Sequence, residues 1–166
     1  MLKAGTKAPE FVLPNDRGVD TSLTDLLRDG PLILYFYPAD FTPGCTKEAC
    51  TIRDAHQDLV AVGLTVAGVS PQDTDSHARF RDQHGLPFVL LSDPDKIAIK
   101  MYGVDGPFGV GVRRATFLIS QDRKIQDAVL ADIRIGRHEE FIHKAIALRE
   151  TAGMRAVNAA DSVKRR

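Results

Sequence analysis

An excess of either charge is missing from this 166-residue chain, in which lysine and arginine number 22 and aspartate and glutamate number 22. Binding to a phosphate backbone is driven by counterion release and ordinarily leaves a basic surplus. The one basic cluster is Lys164-Arg165-Arg166, which reads as a solvated end rather than a nucleic-acid arm. Long apolar runs are missing as well. The longest, residues 32–37, is far too short to span a bilayer, and the opening MLKAGTKAPE has none of the apolar stretch of a secretory signal. The expectation is a cytoplasmic protein with no nucleic-acid and no membrane partner. Internal repeats and low-complexity segments are also absent. With 43% apolar and 27% charged residues, the composition is that of a globular domain, long enough to build a core without cross-links.

Cysteine is scarce, with two in the chain. In a reducing compartment two cysteines point to chemistry more than to a structural cross-link. A metal site is not expected. Structural zinc needs four ligands at characteristic spacing, and the nearest histidine, His56, falls on the apolar face of a helix six residues past Cys50.

What is present is an alternation of strand and helix patterns. PLILYFY (31–37) is a run of β-formers, the mark of a strand covered on both faces. Across 46–62 the period changes: Ala49, Ile52, His56, Leu59 and Val60 recur at three- and four-residue spacing, which predicts one amphipathic helix closed by Gly63. LTVAGVS (64–70) is the next strand, and a polar helix follows over about 76–84. PFVLLS (87–92) is a short strand, after which Asp93-Pro94 offers an N-cap and a first-turn proline to a helix over 94–101. ATFLIS (115–120) and KIQDAVLA (124–131) predict an antiparallel pair, and a last helix runs from about 137 to 150. Strand, helix and strand over 31–70 make a right-handed unit with parallel strands. The expected class is therefore α/β, a central mixed sheet flanked by helices, in the order of a thioredoxin-like fold. Residues 1–150 form the predicted domain and 151–166 a helical extension or loose tail.

The chemically informative stretch is YFYPADFTPGCTKEACTIRD, residues 35–54. A buried strand ends at Pro38, a loop crosses 39–44, and Cys45 falls at the mouth of a helix. Sites in α/β sheets lie beyond the carboxyl ends of strands, and a helix mouth offers unpaired N–H groups and a positive dipole end. A thiol there is pushed toward the nucleophilic thiolate. Thr42 brings a hydroxyl to the same place, and Pro38 and Pro43 stiffen the loop. A free cysteine is most often a small buried hydrophobe, but the polar, turn-rich surroundings favour the reactive reading. Cys50 follows five residues later. In an intact helix that spacing sets the two Cα atoms about 8.7 Å apart, beyond the roughly 7 Å a disulfide tolerates. A bond between them requires the helix start to unwind.

Pro38-x-x-x-Thr42-x-x-Cys45 resembles the active-site signature of the peroxiredoxins, thiol peroxidases on a thioredoxin fold. The longer string TPGCTKEAC is similar to the Q type, the bacterioferritin comigratory protein group. APEFVLPNDRG, GVSPQD, LLSDPD and RRATFLI follow in the same order, so the resemblance covers roughly residues 3–148. It implies that Cys45 attacks the peroxide, that Thr42 hydrogen-bonds the peroxide oxygens and that Pro38 shapes the pocket. It implies too that Arg114 stands beside Cys45, that Glu48 orients Arg114, and that the N–H groups of Gly44 and Cys45 complete an anion site. Cys50 would be the resolving cysteine of an intramolecular disulfide, reduced by thioredoxin or a similar dithiol, in a monomer needing no cofactor.

The residues leave some choices open. Arg113 and Arg114 read equally as a solvated pair, although strand alternation sends them to opposite faces, so one at most reaches the site. Glu48 reads as readily as an exposed helix acid. Phe41 and Phe108 are candidates for an apolar rim suited to organic hydroperoxides, with the glycine-rich 103–112 loop lining the pocket. The alternatives in function are a redox sensor using Cys45 and a disulfide reductase, the latter disfavoured by the lack of a C-x-x-C motif.

Overall fold

Side chains of residues 32–37 alternate between two faces, and both faces are covered, so the segment forms the middle of a sheet and not its surface. The computed structural model describes the backbone of residues 1–164 and the side chains of residues 1–156. The side chains of the basic end at 164–166 therefore lie outside the described residues. In chain order the elements are β1 (Val12–Pro14), β2 (Asp20–Ser22), α1 (Leu23–Leu26), β3 (Leu32–Phe36), α2 (Pro43–Asp54), α3 (His56–Ala61) and β4 (Thr65–Ser70). They continue with α4 (Thr74–His84), β5 (Val89–Ser92), α5 (Ile97–Met101), a 3-10 turn at Pro107–Gly109, β6 (Ala115–Ile119), β7 (Ile125–Leu130) and α6 (Gly136–Lys164).

The main sheet has the order β5-β4-β3-β6-β7. β3 and β4 run parallel, as do β4 and β5, whereas β6 is antiparallel to β3 and β7 to β6. Leu32, Leu34 and Phe36 face a cluster with Phe11, Leu91, Ile99, Tyr102 and Phe117. Ile33, Tyr35 and Tyr37 face the other cluster, with Ile52, Phe80, Leu118 and Ile142. Helices α2, α4 and α6 contribute to the second layer through Ile52, Phe80 and Ile142. Glycine is required at position 68 in β4, where a Cβ would stand 2.7 Å from Tyr35 Cζ and 2.8 Å from Leu90 Cδ2.

Four features depart from the expected pattern. The helix expected across 46–62 is divided at Ala55, whose ψ of −1° flattens the turn between α2 and α3. The helix expected over 94–101 begins at Ile97, because Lys96 adopts a left-handed conformation (φ 55°) just before it. Asp93 still caps it from a distance, its carboxylate accepting from the N–H groups of Ile97 (2.7 Å) and Ile99 (2.9 Å). The β1–β2 hairpin and α1 were not expected at all. Their apolar residues are few, and α1 is set by a capping box in which Ser22 and Asp25 exchange hydrogen bonds. The last helix, expected to 150, continues helical to Lys164. No described helix is long and apolar enough to cross a membrane.

Candidate active site

The carboxyl end of β3 delivers the chain into a loop over 37–42, and Pro43 then occupies the first turn of α2. Thr42 is the N-cap in an extended conformation, yet its side chain makes no capping bond; its hydroxyl donates to the Ala39 carbonyl at 3.1 Å. Helix geometry leaves the N–H groups of Gly44 and Cys45 without intrahelical partners. Cys45 itself is 1% exposed and packs in the cluster with Tyr35, Tyr37 and Ala49.

β6 supplies the charge. Its register places Ala115 opposite Phe36, so the residue just before β6 emerges beside the loop that leaves β3. Arg114, 69 residues from Cys45, donates from Nη2 to Cys45 Sγ at 3.3 Å. Its Nη1 donates to Glu48 Oε2, one turn further along α2. One guanidinium thus bridges the sulfur and the carboxylate, both buried. Burial opposes the Arg114 charge, but Glu48 and Cys45 outweigh it and hold its pKa above the usual value. Gly44 makes room for this arrangement, since a Cβ there would meet Arg114 Nη2 at 3.1 Å and Ile135 Cδ1 at 3.3 Å. Arg113 points the opposite way and pairs at the surface with Asp132, as the alternation required. Asp132 also accepts from the Arg114 backbone N–H at 2.9 Å.

Glu48 is 1% exposed. Burial pushes its pKa up to about 7 from an ordinary 4.5, against the pull of Arg114. Its Oε1 has no hydrogen-bond partner among the described residues and lies 3.5 Å from His138 Nδ1. His138 is held between Thr116 Oγ1 (2.9 Å from Nδ1) and the Ala131 carbonyl (3.1 Å from Nε2). Burial lowers the His138 pKa, and the Arg114 and Arg137 charges lower it further.

A cleft of about 490 Å³ is lined by Pro38, Gly106, Val110, Val112, Arg114 and Asp132, among others. The 103–112 loop does border the site. Neither Phe41 nor Phe108 lines this cleft, and Cys45, Thr42 and Gly44 do not line it either. Phe108 is fully exposed at φ 56°, turned outward by the 3-10 turn, and Phe41 lies edge-on against Phe80 at 5.3 Å, outside the cleft. Cys50 is half-buried in the unbroken α2, and both thiols are free. His56 is half-buried against Phe88, and no described cluster of three or more metal-ligating side chains occurs.

Two groups escaped the sequence reading. His138 begins α6 more than 90 residues from Cys45, and no motif links them. Asp40, Tyr37 and His77 form a buried polar cluster behind the loop, and only Asp40's place inside the signature string pointed to it.

A buried cysteine at a helix mouth, touched by an arginine that a carboxylate orients, is a site for nucleophilic thiol chemistry. Comparison with known proteins agrees. The AhpC/TSA family matches residues 4–128. A putative peroxiredoxin bcp from Coxiella burnetii is 43% identical over 143 residues, which are 82% of this chain and 93% of the relative. The crystal structure of peroxidoxin BcpB from Mycobacterium tuberculosis superimposes with a TM-score of 0.83 at 35% identity, over 91% of this chain and 98% of that one. Peroxiredoxin Q from Xanthomonas campestris does so at 0.76 and 27%, over 83% and 90%. The chain belongs to the AhpC/TSA family of thioredoxin-fold peroxiredoxins, in the Bcp or Q-type group. Membership brings thiol peroxidase activity, with a peroxide as substrate and a thiol as reductant.

Proposed function

We propose that this chain reduces hydrogen peroxide and organic hydroperoxides with Cys45 as attacking thiolate and Cys50 as resolving thiol, and that thioredoxin or a similar dithiol recycles it. The carrying observation is the Arg114 bridge between Cys45 Sγ and Glu48. Thiolate attack breaks the peroxide O–O bond and forms an S–O bond. Sulfur is oxidised to the sulfenic acid, and the leaving oxygen takes a proton and departs as water or alcohol. Arg114 Nη2 and the N–H groups of Gly44 and Cys45 stabilise the negative charge that develops on oxygen. Thr42, whose proton is given to Ala39, keeps oxygen lone pairs to accept from the peroxide O–H. Pro38 borders the cleft and limits water.

The Cys50 thiol then displaces hydroxide from the sulfenic sulfur, giving the Cys45–Cys50 disulfide and water. With the cysteines in one helix this step requires α2 to unwind at its start. A dithiol reductant exchanges with the disulfide and restores both thiols. Residues 1–150 act as the catalytic domain of a cytoplasmic monomer, and 151–166 as an extension of it. Intact mass after one equivalent of hydrogen peroxide tests the reading. Loss of two hydrogens in the wild type, with a trappable sulfenic acid in Cys50→Ser, is expected. Two unmodified thiols in the wild type would overturn it.

A further inference from the structure

We propose that Asp40 and His77 are positioning residues that clasp the loop in front of Cys45 and set the rate at which its sulfenic acid passes to Cys50. The inference rests on the disulfide cycle proposed above. Asp40 is 6% exposed and His77 fully buried. Asp40 Oδ1 accepts from the Tyr37 hydroxyl at 2.7 Å. Its Oδ2 accepts from Ser76 Oγ at 2.7 Å and meets His77 Nδ1 at 2.8 Å, and the Asp40 N–H donates to Gln72 Oε1 at 3.0 Å. His77 Nε2 lies 3.2 Å from the Leu91 carbonyl, which ties the cluster to β5. These donors hold the Asp40 pKa below its usual value although burial works against them.

Nothing in the peroxidase chemistry uses this cluster, yet it holds one particular stretch of backbone. Phe41, the next residue, has a φ of 61°. The left-handed conformation is unfavourable for a bulky side chain, and such a residue persists only where its surroundings over-determine it. Asp40 supplies that constraint on one side, and the Phe41 ring against Phe80 adds to it. Thr42 Oγ1 donates to the Ala39 carbonyl within the loop, and the Thr46 N–H donates to the Thr42 carbonyl at 2.9 Å, joining the loop to the helix.

All of the Asp40 partners belong to Tyr37, Gln72, Ser76 and His77, and none to α2. The clasp therefore stays closed while α2 unwinds, and Cys45 travels toward Cys50 on the slack of residues 41–44 alone. Opening the clasp frees residues 38–40 as well. It speeds disulfide formation, and it loosens the placement of Thr42 and Cys45 on which peroxide attack depends.

Ser76→Ala removes one donor from a half-buried position, and Ser76→Thr keeps the hydroxyl. A hydrogen bond of ordinary net worth corresponds to roughly a 3- to 10-fold change in rate. In rapid-mixing experiments on the full chain, Ser76→Ala and His77→Gln are expected to form the disulfide faster than wild type by about that factor. The fraction of Cys45 driven to sulfinic acid at high peroxide falls in step, and Ser76→Thr restores wild-type values. A lowered melting temperature with unchanged resolution rate and unchanged sulfinic fraction would overturn the clasp and leave the disulfide cycle standing. If His77→Gln does not fold, the Ser76 pair decides alone. A wild type that forms no Cys45–Cys50 disulfide overturns both readings together.

Discussion

Glu48→Gln isolates the cost of an anion in the protein interior. A folded-state pKa of about 7 against an ordinary 4.5 means that the folded protein binds this proton more tightly than the unfolded chain does. Between those two values the folded state carries the extra proton, so stability falls as pH rises. The contribution is fully present below pH 4.5 and is lost as pH passes through about 7. The whole shift corresponds to about 3 kcal/mol, of which roughly 2–3 kcal/mol is lost between pH 5 and pH 8. The orphaned Oε1, 3.5 Å from His138 Nδ1, gives the added proton a group to point toward.

Glutamine is nearly isosteric and does not titrate, so the stability difference between wild type and Glu48→Gln carries this contribution and cancels groups that behave alike in both. Losing the charge opposite Arg114 adds an offset, but the offset does not create the slope. Urea unfolding of both proteins, with thiols kept reduced, at pH 5, 6, 7 and 8 reads it directly. With an m-value of about 2 kcal/mol per molar, the wild-type midpoint drops relative to the variant by roughly 1 M across that range. Midpoints that stay parallel from pH 5 to pH 8 would refute a carboxylate whose proton affinity is raised by burial.

Arg114→Lys keeps the charge but loses the fork that reaches Glu48 and Cys45 together, and the peroxide rate constant is expected to fall about 100-fold in stopped-flow measurements. Gly44→Ala crowds Arg114 Nη2 at 3.1 Å and should slow the same step while changing stability by less than about 1 kcal/mol; a wild-type rate would show that the guanidinium yields freely. Gly68→Ala drives a methyl into Tyr35 and Leu90 and should cost about 1–3 kcal/mol in chemical denaturation. Phe108→Ala removes a fully exposed ring, so both stability and the ratio of organic to hydrogen peroxide rates should match wild type. A changed ratio would restore Phe108 to the substrate site.

The residues disclosed the parts of the molecule governed by periodicity. The two-sided burial of β3, its parallel pairing with β4 and the β6–β7 hairpin all follow from alternation and turn chemistry; alternation set Arg113 and Arg114 on opposite faces, and the resemblance chose Arg114. The remainder depends on approach in three dimensions. His138 reaches Glu48 because α6 packs back on α2, and a lone histidine in a helix carries no mark of that. His77 meets Asp40 across 37 residues for the same reason. The start of α5 was misplaced because Asp93 caps from four and six residues away, through Ile97 and Ile99, an arrangement outside the usual N-cap spacing. Phe108 looked like a pocket wall because its φ of 56° is invisible in sequence.

The pairing of β6 with β3, Ala115 opposite Phe36, also protects against misassembly. A slip of one residue would bring Arg113 to the thiol, and the cysteine would still find a guanidinium. The same slip would turn Arg114 inward against Phe36 and Tyr102, where an unpaired charge costs several kcal/mol. It would also rotate Ala115, Phe117 and Ile119 away from the cluster they fill. The adjacent arginines thus act as a vernier on the strand: one aligns the reactive centre, and its neighbour makes the nearest wrong alignment too costly to populate.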